Sequence, residues 1–499
     1  MNELPTSWAS VRLGEVASVV RGITFPAGSK EFSKNSTNVC CLRTSNVQST
    51  LRWDDVYYVP REYVKRDDQL VQVGDILMSM ANSYELVGKV AMASAVPEAT
   101  AFGAFLSAVR PTALTKAPYL FHLLRSHAVQ AALREGSSQT TNIANISVAR
   151  LSDIVVPLAP VGEQQRIANK LDTVLARMDA CRDRLARVAP LLKRFRQSVL
   201  AAATSGTLTE EWRAENPAEA GTAELEVQRR EVSRHGSLRV RGDAARVSRE
   251  LLYELPKSWA WVVNHRLASD DGNAICAGPF GTIFKASDFR SQGVPIIFLR
   301  HVGAGSYLMH KPGFMDRQVW DKHHKPYSVY GGELLVTKLG DPPGTACIYP
   351  GDMGVAMVTP DVMKMSVDDV VADSRYLMHF FNGPASKEIV EAMCFGVTRL
   401  RIDLSLFKTF PIPMPPRAEQ TEVVRRVEAL FAFADRLEAR LRRAQTAVDR
   451  LTPSLLAKAF RGELVPQDPA DEPAAELLKR LAAQREAAPT RPRRQRTAA

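Results

Sequence analysis

The sequence predicts an α+β protein built as two similar halves, each a globular domain followed by one long α-helix. Three observations lead there. The stretch "PLAPVGEQQRIANKL" from Pro157 returns as "PMPPRAEQTEVVRRV" from Pro413, 256 positions later in a chain of 499 residues. An unbroken heptad run of apolar residues follows each copy. Short β-type runs between Gly and Pro turns, mixed with one or two helical segments, precede each copy, without the regular alternation of an α/β fold.

The repeat holds a single offset over about fifty residues: Glu163-Gln164 with Glu419-Gln420, Asp179 with Asp435, Ser198 with Ser454, Gly206 with Gly462 and Leu208 with Leu464. In the first copy the apolar positions are Ile167, Leu171, Val174, Met178, Cys181, Leu185, Val188, Leu192, Phe195 and Val199. In the second they are Val423, Val427, Leu430, Ala434, Leu437, Leu441, Ala444, Val448, Leu451 and Leu455. Steps of four and three without a miss describe a seam along each helix, as in a coiled coil. Pro160 and Pro416 precede the helices, and Glu163 and Glu419 suit the positive end of the helix dipole. Gly206 and Gly462 supply left-handed stops. Each helix is expected to reach about 60 Å. Pro190 and Pro453 are expected to kink or break the C-terminal third.

The variable halves echo each other more weakly. "LPTSWASVRLGEVA" at Leu4 is matched by "LPKSWAWVVNHRLA" at Leu255, Leu42-Arg43 by Leu299-Arg300, "VGDILMSM" by "GGELLVTK", and "YLFHLL" by "YLMHFF". The expected segments are 1–156 and 255–412 as globular domains, 157–206 and 413–464 as helices, 207–254 as a solvated linker with some helix, and 465–499 as a basic C-terminal tail.

With 45% hydrophobic and 24% charged residues, wholesale disorder is excluded. No apolar run approaches the ~18 residues of a membrane span, and the N-terminus lacks the pattern of an export signal, so the expectation is a cytoplasmic protein with no membrane contact. The six cysteines form no CxxC pair and read as reduced thiols. A net charge of +11 favours a polyanionic partner.

A catalytic reading, as a stand-alone DNA methyltransferase or restriction enzyme, lacks its motifs. "DPPG" at Asp341 has glycine where an amino-methyltransferase needs an aromatic to stack a base, and it reads as a turn. Gly88-Lys89 is not followed by Ser or Thr and lacks the first glycine of a phosphate loop. The histidines show no metal-ligand spacing, so neither a metal site nor catalytic residues are expected. A coiled-coil scaffold without a DNA role accounts for the helices but not for the duplicated domains.

The paired "LP.SW" starts, the "P(L/M).P..EQ" signals and the helix ends "FRQSVLAAATSGTL" and "LTPSLLAKAFRGEL" together resemble the specificity subunit of Type I DNA restriction–modification systems, over about residues 4–465. The resemblance implies two target-recognition domains separated by two long antiparallel helices, a coiled-coil spacer with internal pseudo-two-fold symmetry. It implies double-stranded DNA as ligand, read as a bipartite target. It further implies two modification (methyltransferase) subunits docked on the helices, with restriction/translocase subunits outside. S-adenosylmethionine, ATP and Mg²⁺ would be held by those partners and not by this chain. The seam would be carried by Ile167, Leu171, Val174, Met178, Leu185, Leu192, Val423, Val427, Leu430, Leu437, Leu441 and Leu451. For base edges and phosphates the candidates in the first half are Arg43, Ser45, Asn46, Lys89, Gln139, Thr140 and Asn142, the last three in a polar run the family places in a similar turn. In the second half they are Lys285, Arg300, His301, Lys338, Thr398, Arg399 and Arg401. Taken singly, each is equally a solvated surface residue or a turn former.

Overall fold

Each Glu–Gln signal opens a long helix: Val161–Ser205, of 45 residues, and Arg417–Ala459, of 43, in a computed structural model of the chain. The structure describes residues 4–135, 138–140, 143–217, 223, 226–227, 252–279, 284–340, 342–393 and 400–487. Among these no helix is long and apolar enough to cross a membrane, and no group of three or more His, Cys, Asp or Glu is arranged to hold a metal. The chain forms two compact units: Met1–Ala186 with Arg442–Ala499, and Arg187–Leu441. Each long helix therefore contributes to both units, which the linear order of segments does not suggest.

In the first unit a four-stranded antiparallel sheet has the order Ala17–Arg21, Leu106–Pro111, Ile76–Ser79, Val90–Met92. A three-stranded sheet places Asn38–Leu42 between Tyr57–Pro60 and the parallel strand Thr100–Phe102. Ala9–Arg12 pairs with Val155–Leu158 just before the first long helix. The second unit repeats this plan. Its four-stranded sheet runs Ile275–Ala277, Val362–Met365, Leu334–Thr337, Ala346–Ile348, and Ala260–Val263 pairs with Pro411–Met414 just before the second long helix. Val294–Ile297 pairs in parallel with Ala356–Val358. Strands and helices are mixed without alternation, so both halves are α+β.

The two helices run antiparallel in each unit. In the first, Arg166 pairs with Asp471 at 2.6 Å, while Arg182, farther along, reaches Asp449 at 3.2 Å and Thr452 at 2.8 Å. In the second, Arg196 pairs with Asp435 and Glu438, and Arg426 donates to the Leu208 carbonyl at 2.9 Å. Ile167, Leu171, Met178, Leu192, Val423, Val427 and Leu441 are buried, and Val174, Leu185, Leu430 and Leu437 are half-buried. Leu451 departs from the heptad expectation at 48% exposed, as does Cys181, which is exposed. Leu456 and Ala459 are buried instead. A 3.6-residue helix drifts by roughly 20° per heptad against a strict 3.5 repeat, so the buried stripe shifts by one position over this length. Both helices are continuous through Pro190 and Pro453, so neither proline breaks its helix. The carbonyls left unbonded, at Ala186 and Asp449, belong to exposed residues, where water meets the missing bond.

The helix starts are anchored by buried hydrogen bonds in each unit. Glu163 is buried and accepts from the Trp8 indole at 2.9 Å and from Gln467 at 2.6 Å. Glu419 is buried likewise and accepts from the Trp259 indole at 2.9 Å, from Thr209 at 2.7 Å and from Arg213. Gln164 accepts from the Lys116 amide and donates to the Leu114 and Ala159 carbonyls. Gln420 does the same with Asp373, Val371 and Pro415. The "LP.SW" prolines complete the set. Gly462 and Gly206 close the helices with φ of 76° and 82°, and a Cβ on either would overlap the ring of Pro5 or Pro256, respectively. Each half thus rests on the start of one long helix and the end of the other.

After each long helix, described residues of the following segment pack into a core. In 207–254, Thr209 is buried, Arg213 is paired, and Ala223 and Val227 join the second unit's core. In 465–499, Ala474–Ala487 is a helix whose Ala474 and Leu477 enter the first unit's core. Each docks through an alanine amide on the "LP.SW" serine carbonyl: Ala223 on Ser258 at 3.2 Å, and Ala474 on Ser7 at 2.9 Å. The basic run from Arg491 lies outside the described residues.

Removing a buried acceptor from a charged donor costs more than removing it from neutral ones. Glu419→Ala, which strands Arg213, should destabilise by about 3–5 kcal/mol, and Glu163→Ala, which strands two neutral donors, by about 1–3 kcal/mol. Urea denaturation of both variants checks the ordering; equal losses would contradict it.

His122 and His379 occupy matching places in the helices Ala117–Arg125 and Ser374–Asn382. His122 Nε2 lies 2.8 Å from Asp172, whereas His379, 5% exposed, stacks edge-on against Phe431 with Nε2 unbonded. Burial pulls the His379 pKa down to about 4, against an opposing pull from Asp373. The unfolded chain then binds more protons below its own value of about 6.5, so stability falls as pH drops from 6.5 towards 4. Between pH 7 and pH 5 the wild type should lose about 2 kcal/mol more than His379→Phe, measured as the change in urea midpoint at the two pH values.

Candidate nucleic-acid interface

A short helix N-capped by a polar residue ends the variable part of each half. Ser147 accepts from the Arg150 amide at 3.2 Å, and Asp403 from the Leu406 amide at 2.6 Å. Just before these caps the chain pairs with the strand end that follows the central strand. Asn145 is opposite Ala81, and Arg401 opposite Leu339. In the first unit the pairing extends to a hairpin, with Ser138–Thr140 on Ile143–Asn145. Gln139 and Thr140 thus lie on an edge strand. Asn142 lies outside the described residues, as do Thr398 and Arg399.

In the first unit a concavity of 720 Å³ is lined by Arg52, Lys89, Arg125 and Arg134 against one carboxylate, Glu85. Lys89 is steered by Gln48, whose Oε1 accepts from Nζ at 2.5 Å. Arg52 is held by Asp54, and Arg125 lies over the Phe121 ring at 5.0 Å. Burial lowers the Arg125 pKa, so its charge is only partly solvated. Arg134 sits on the helix His127–Glu135, which precedes the hairpin in the sequence. The second unit does not repeat this lining. Thr345 makes the backbone contacts of Lys89, and the matching helix carries Lys387 and Glu391 where the first has Gln130 and Arg134. Lys387 donates to the Pro343 carbonyl at 3.2 Å, and burial takes its pKa down to about 8. Gly344 of "DPPG" has φ of 86°, as a turn requires.

Several other candidate residues are spent on the fold. Asn46 is 2% exposed; its Oδ1 accepts from the Arg43 amide and its Nδ2 donates to the Asp54 carbonyl, so it is not available to a base. His301 is buried and does the same work with a ring: Nδ1 accepts from the Phe298 amide at 3.3 Å, and Nε2 bonds the His310 carbonyl at 2.9 Å. The structural register is therefore Arg43 with Phe298 and Asn46 with His301, two residues away from the match of Leu42-Arg43 with Leu299-Arg300. Arg43 is tied to Asp55 and lies over Tyr57, while Arg300 stacks on Phe298 at 4.1 Å and donates to the Lys311 carbonyl at 2.7 Å. Lys338 is 8% exposed, and burial with Arg401 nearby lowers its pKa. Ser45, Lys285 and Arg401 are exposed.

A sequence model of the Type I restriction modification DNA specificity domain matches residues 5–188. The chain is 29% identical to the Type I restriction enzyme StySPI specificity subunit of Salmonella potsdam, over 97% of this chain and 96% of that one. It is 28% identical to the EcoKI specificity subunit of Escherichia coli K12, over 97% of each. The chain is thus similar to Type I specificity subunits along nearly its whole length. The fold agrees with that of the HsdS subunit from Thermoanaerobacter tengcongensis, with a TM-score of 0.57 at 17% identity, covering 93% of this chain and 98% of that one. It agrees also with a chain from a study of complex assembly and conformational transition of the type I R-M system, at TM-score 0.59 and 16% identity, covering 93% and 100%.

Sequence reasoning passed over Arg52, Arg125, Arg134 and Lys387, which lie on helices or loops without a motif. It also passed over the docked segments after the long helices. For these a signal existed: "NPAEAGTAEL" from Asn216 and "DPADEPAAEL" from Asp468 extend the repeat beyond the helix ends.

Because Asn46 and His301 cap equivalent turns, His301→Asn should be tolerated, whereas Asn46→Ala should cost about 1–2 kcal/mol without changing any ligand preference. Thermal unfolding of both variants provides the check.

Proposed function

We propose that this chain is the non-catalytic DNA-reading subunit of a cytoplasmic Type I restriction–modification complex. Each half reads one block of a bipartite duplex target and presents it to partners that carry the chemistry. The observation that carries the reading is a likeness to specificity subunits that runs along nearly the whole chain, with the same α+β frame built twice. Modification subunits dock on the outward faces of residues 161–203 and 417–460, where Leu191, Phe433 and Leu451 stand exposed. Restriction/translocase subunits join outside them. S-adenosylmethionine, ATP and Mg²⁺ belong to those partners.

The basic concavity is the phosphate-gripping part of the first half. Affinity for duplex DNA should fall steeply with salt, because each neutralised phosphate releases counterions. Lys89→Gln and Arg134→Gln should each lower the slope of log affinity against log salt by about 1, leaving the preferred sequence unchanged. Titrations of the assembled complex at several salt concentrations measure this. Adenine-methylation mapping with and without the chain tests the reading as a whole: a split motif of two specified blocks is expected, and no chain-dependent methylation would refute it.

A further inference from the structure

The two halves hold their exposed reading edge on one backbone frame, and that frame matches residue by residue. In the first half the Met80 amide donates to the Phe105 carbonyl at 2.8 Å, and the Ile146 amide donates to the Met80 carbonyl at 2.8 Å. In the second, the Lys338 amide donates to the Asp361 carbonyl at 2.8 Å, and the Ile402 amide to the Lys338 carbonyl at 3.0 Å. Asn145 against Ala81 corresponds to Arg401 against Leu339. The N-caps Ser147 and Asp403 fix both edges from behind. Phe105 therefore stands where Asp361 stands, and Asn145 where Arg401 stands.

The side chains on this common frame share no chemistry. Phe105 is 67% exposed, although nothing in an ordinary surface turn calls for a large apolar ring there, and it flanks a cavity of 430 Å³ shared with Asn145 and Arg21. Asn145, Asp361 and Arg401 are all exposed. Lys338 feels the charges of Arg401, Asp403 and Asp361, which places both Arg401 and Asp361 near it on the second edge. Positions that keep their backbone bonds while exchanging apolar-plus-amide for acid-plus-guanidinium are free to vary without cost to the fold, and they face outward.

We propose that Phe105 with Asn145, and Asp361 with Arg401, are the base-reading pairs of the two half-sites. This rests on the DNA-reading role set out above and assigns its chemistry. Asn bonds adenine N6 and N7 in the major groove while an apolar ring meets the thymine methyl, so the first pair selects A·T. Arg bonds guanine O6 and N7 while a carboxylate accepts from cytosine N4, so the second pair selects G·C.

The test maps adenine methylation by the full chain with its modification partners, unaltered and as Asn145→Ala, Arg401→Ala and the exchange Asn145→Arg. Asn145→Ala should relax one A·T position in one half-site by roughly ten- to a hundredfold, leaving the other half-site intact. Arg401→Ala should relax one G·C position in the other half-site only, and Asn145→Arg should move the A·T position towards G·C. Because these residues are exposed, thermal unfolding should be unchanged, and a lowered melting temperature with both half-sites relaxed counts against the assignment. A motif unmoved by all three changes overturns the assignment alone. No motif with the unaltered chain removes the DNA-reading role and the assignment with it.

Discussion

The architecture depends on one interaction made twice: a carboxylate in the first turn of a long helix, buried under a tryptophan from the beginning of its own domain. Glu163 takes the indole N–H of Trp8, and Glu419 that of Trp259. A buried carboxylate without donors is strongly disfavoured, so each helix start is bound to the domain entry that supplies one. Burial pushes the Glu163 pKa upward even so, against the pull of Trp8 and Gln467. The remaining donors come from the chain beyond the far end of the opposite helix: Gln467 in one unit, Thr209 and Arg213 in the other. One acidic residue thereby gathers three distant segments, and the neighbouring glutamine fixes a fourth, the loop ahead of the buried helix at Tyr119 or Tyr376.

This arrangement explains what the sequence made legible. Helix starts and glycine stops leave repeated signals, and long helices begin and end at those signals in both halves. The partner of the Glu–Gln signal was not legible, because Trp8 and Glu163 are far apart in sequence and no periodicity links them. The failure to break at Pro190 and Pro453 has a similar cause. Proline's local penalty is fixed, but its effect depends on whether the freed carbonyl meets water, which only the exposure of Ala186 and Asp449 reveals. At Leu451 a strict heptad count over ten positions accumulates the drift that a straight helix imposes.

In the variable halves the candidate DNA residues divide along the same line. Polar residue type marks Asn46 and His301 as readers as readily as it marks Asn145 and Arg401. The difference is where the backbone needs a partner. A turn that must satisfy its own N-terminal amide consumes the nearest acceptor, whether amide or imidazole, and this also set the register two residues away from the Leu–Arg match. Sequence similarity followed a recurring dipeptide there; the structure followed the hydrogen bond.

A contrast within the central strands separates constrained from free positions. Asp75 and Glu333 each follow a glycine with positive φ, Gly74 and Gly332, and each accepts from a backbone amide three residues back. Each also pairs with a cation, Arg110 at 2.6 Å and the fully buried Lys364 at 2.9 Å. The cation differs and its route to the carboxylate differs, yet the acid cannot, since losing it would orphan both an amide and a buried charge. At Asn145 and Arg401 no such debt exists: the backbone bonds are made by Met80 and Lys338 and their neighbours, and the side chains face solvent. A fold that fixes its acids and leaves its edges open can change what it reads without changing how it stands.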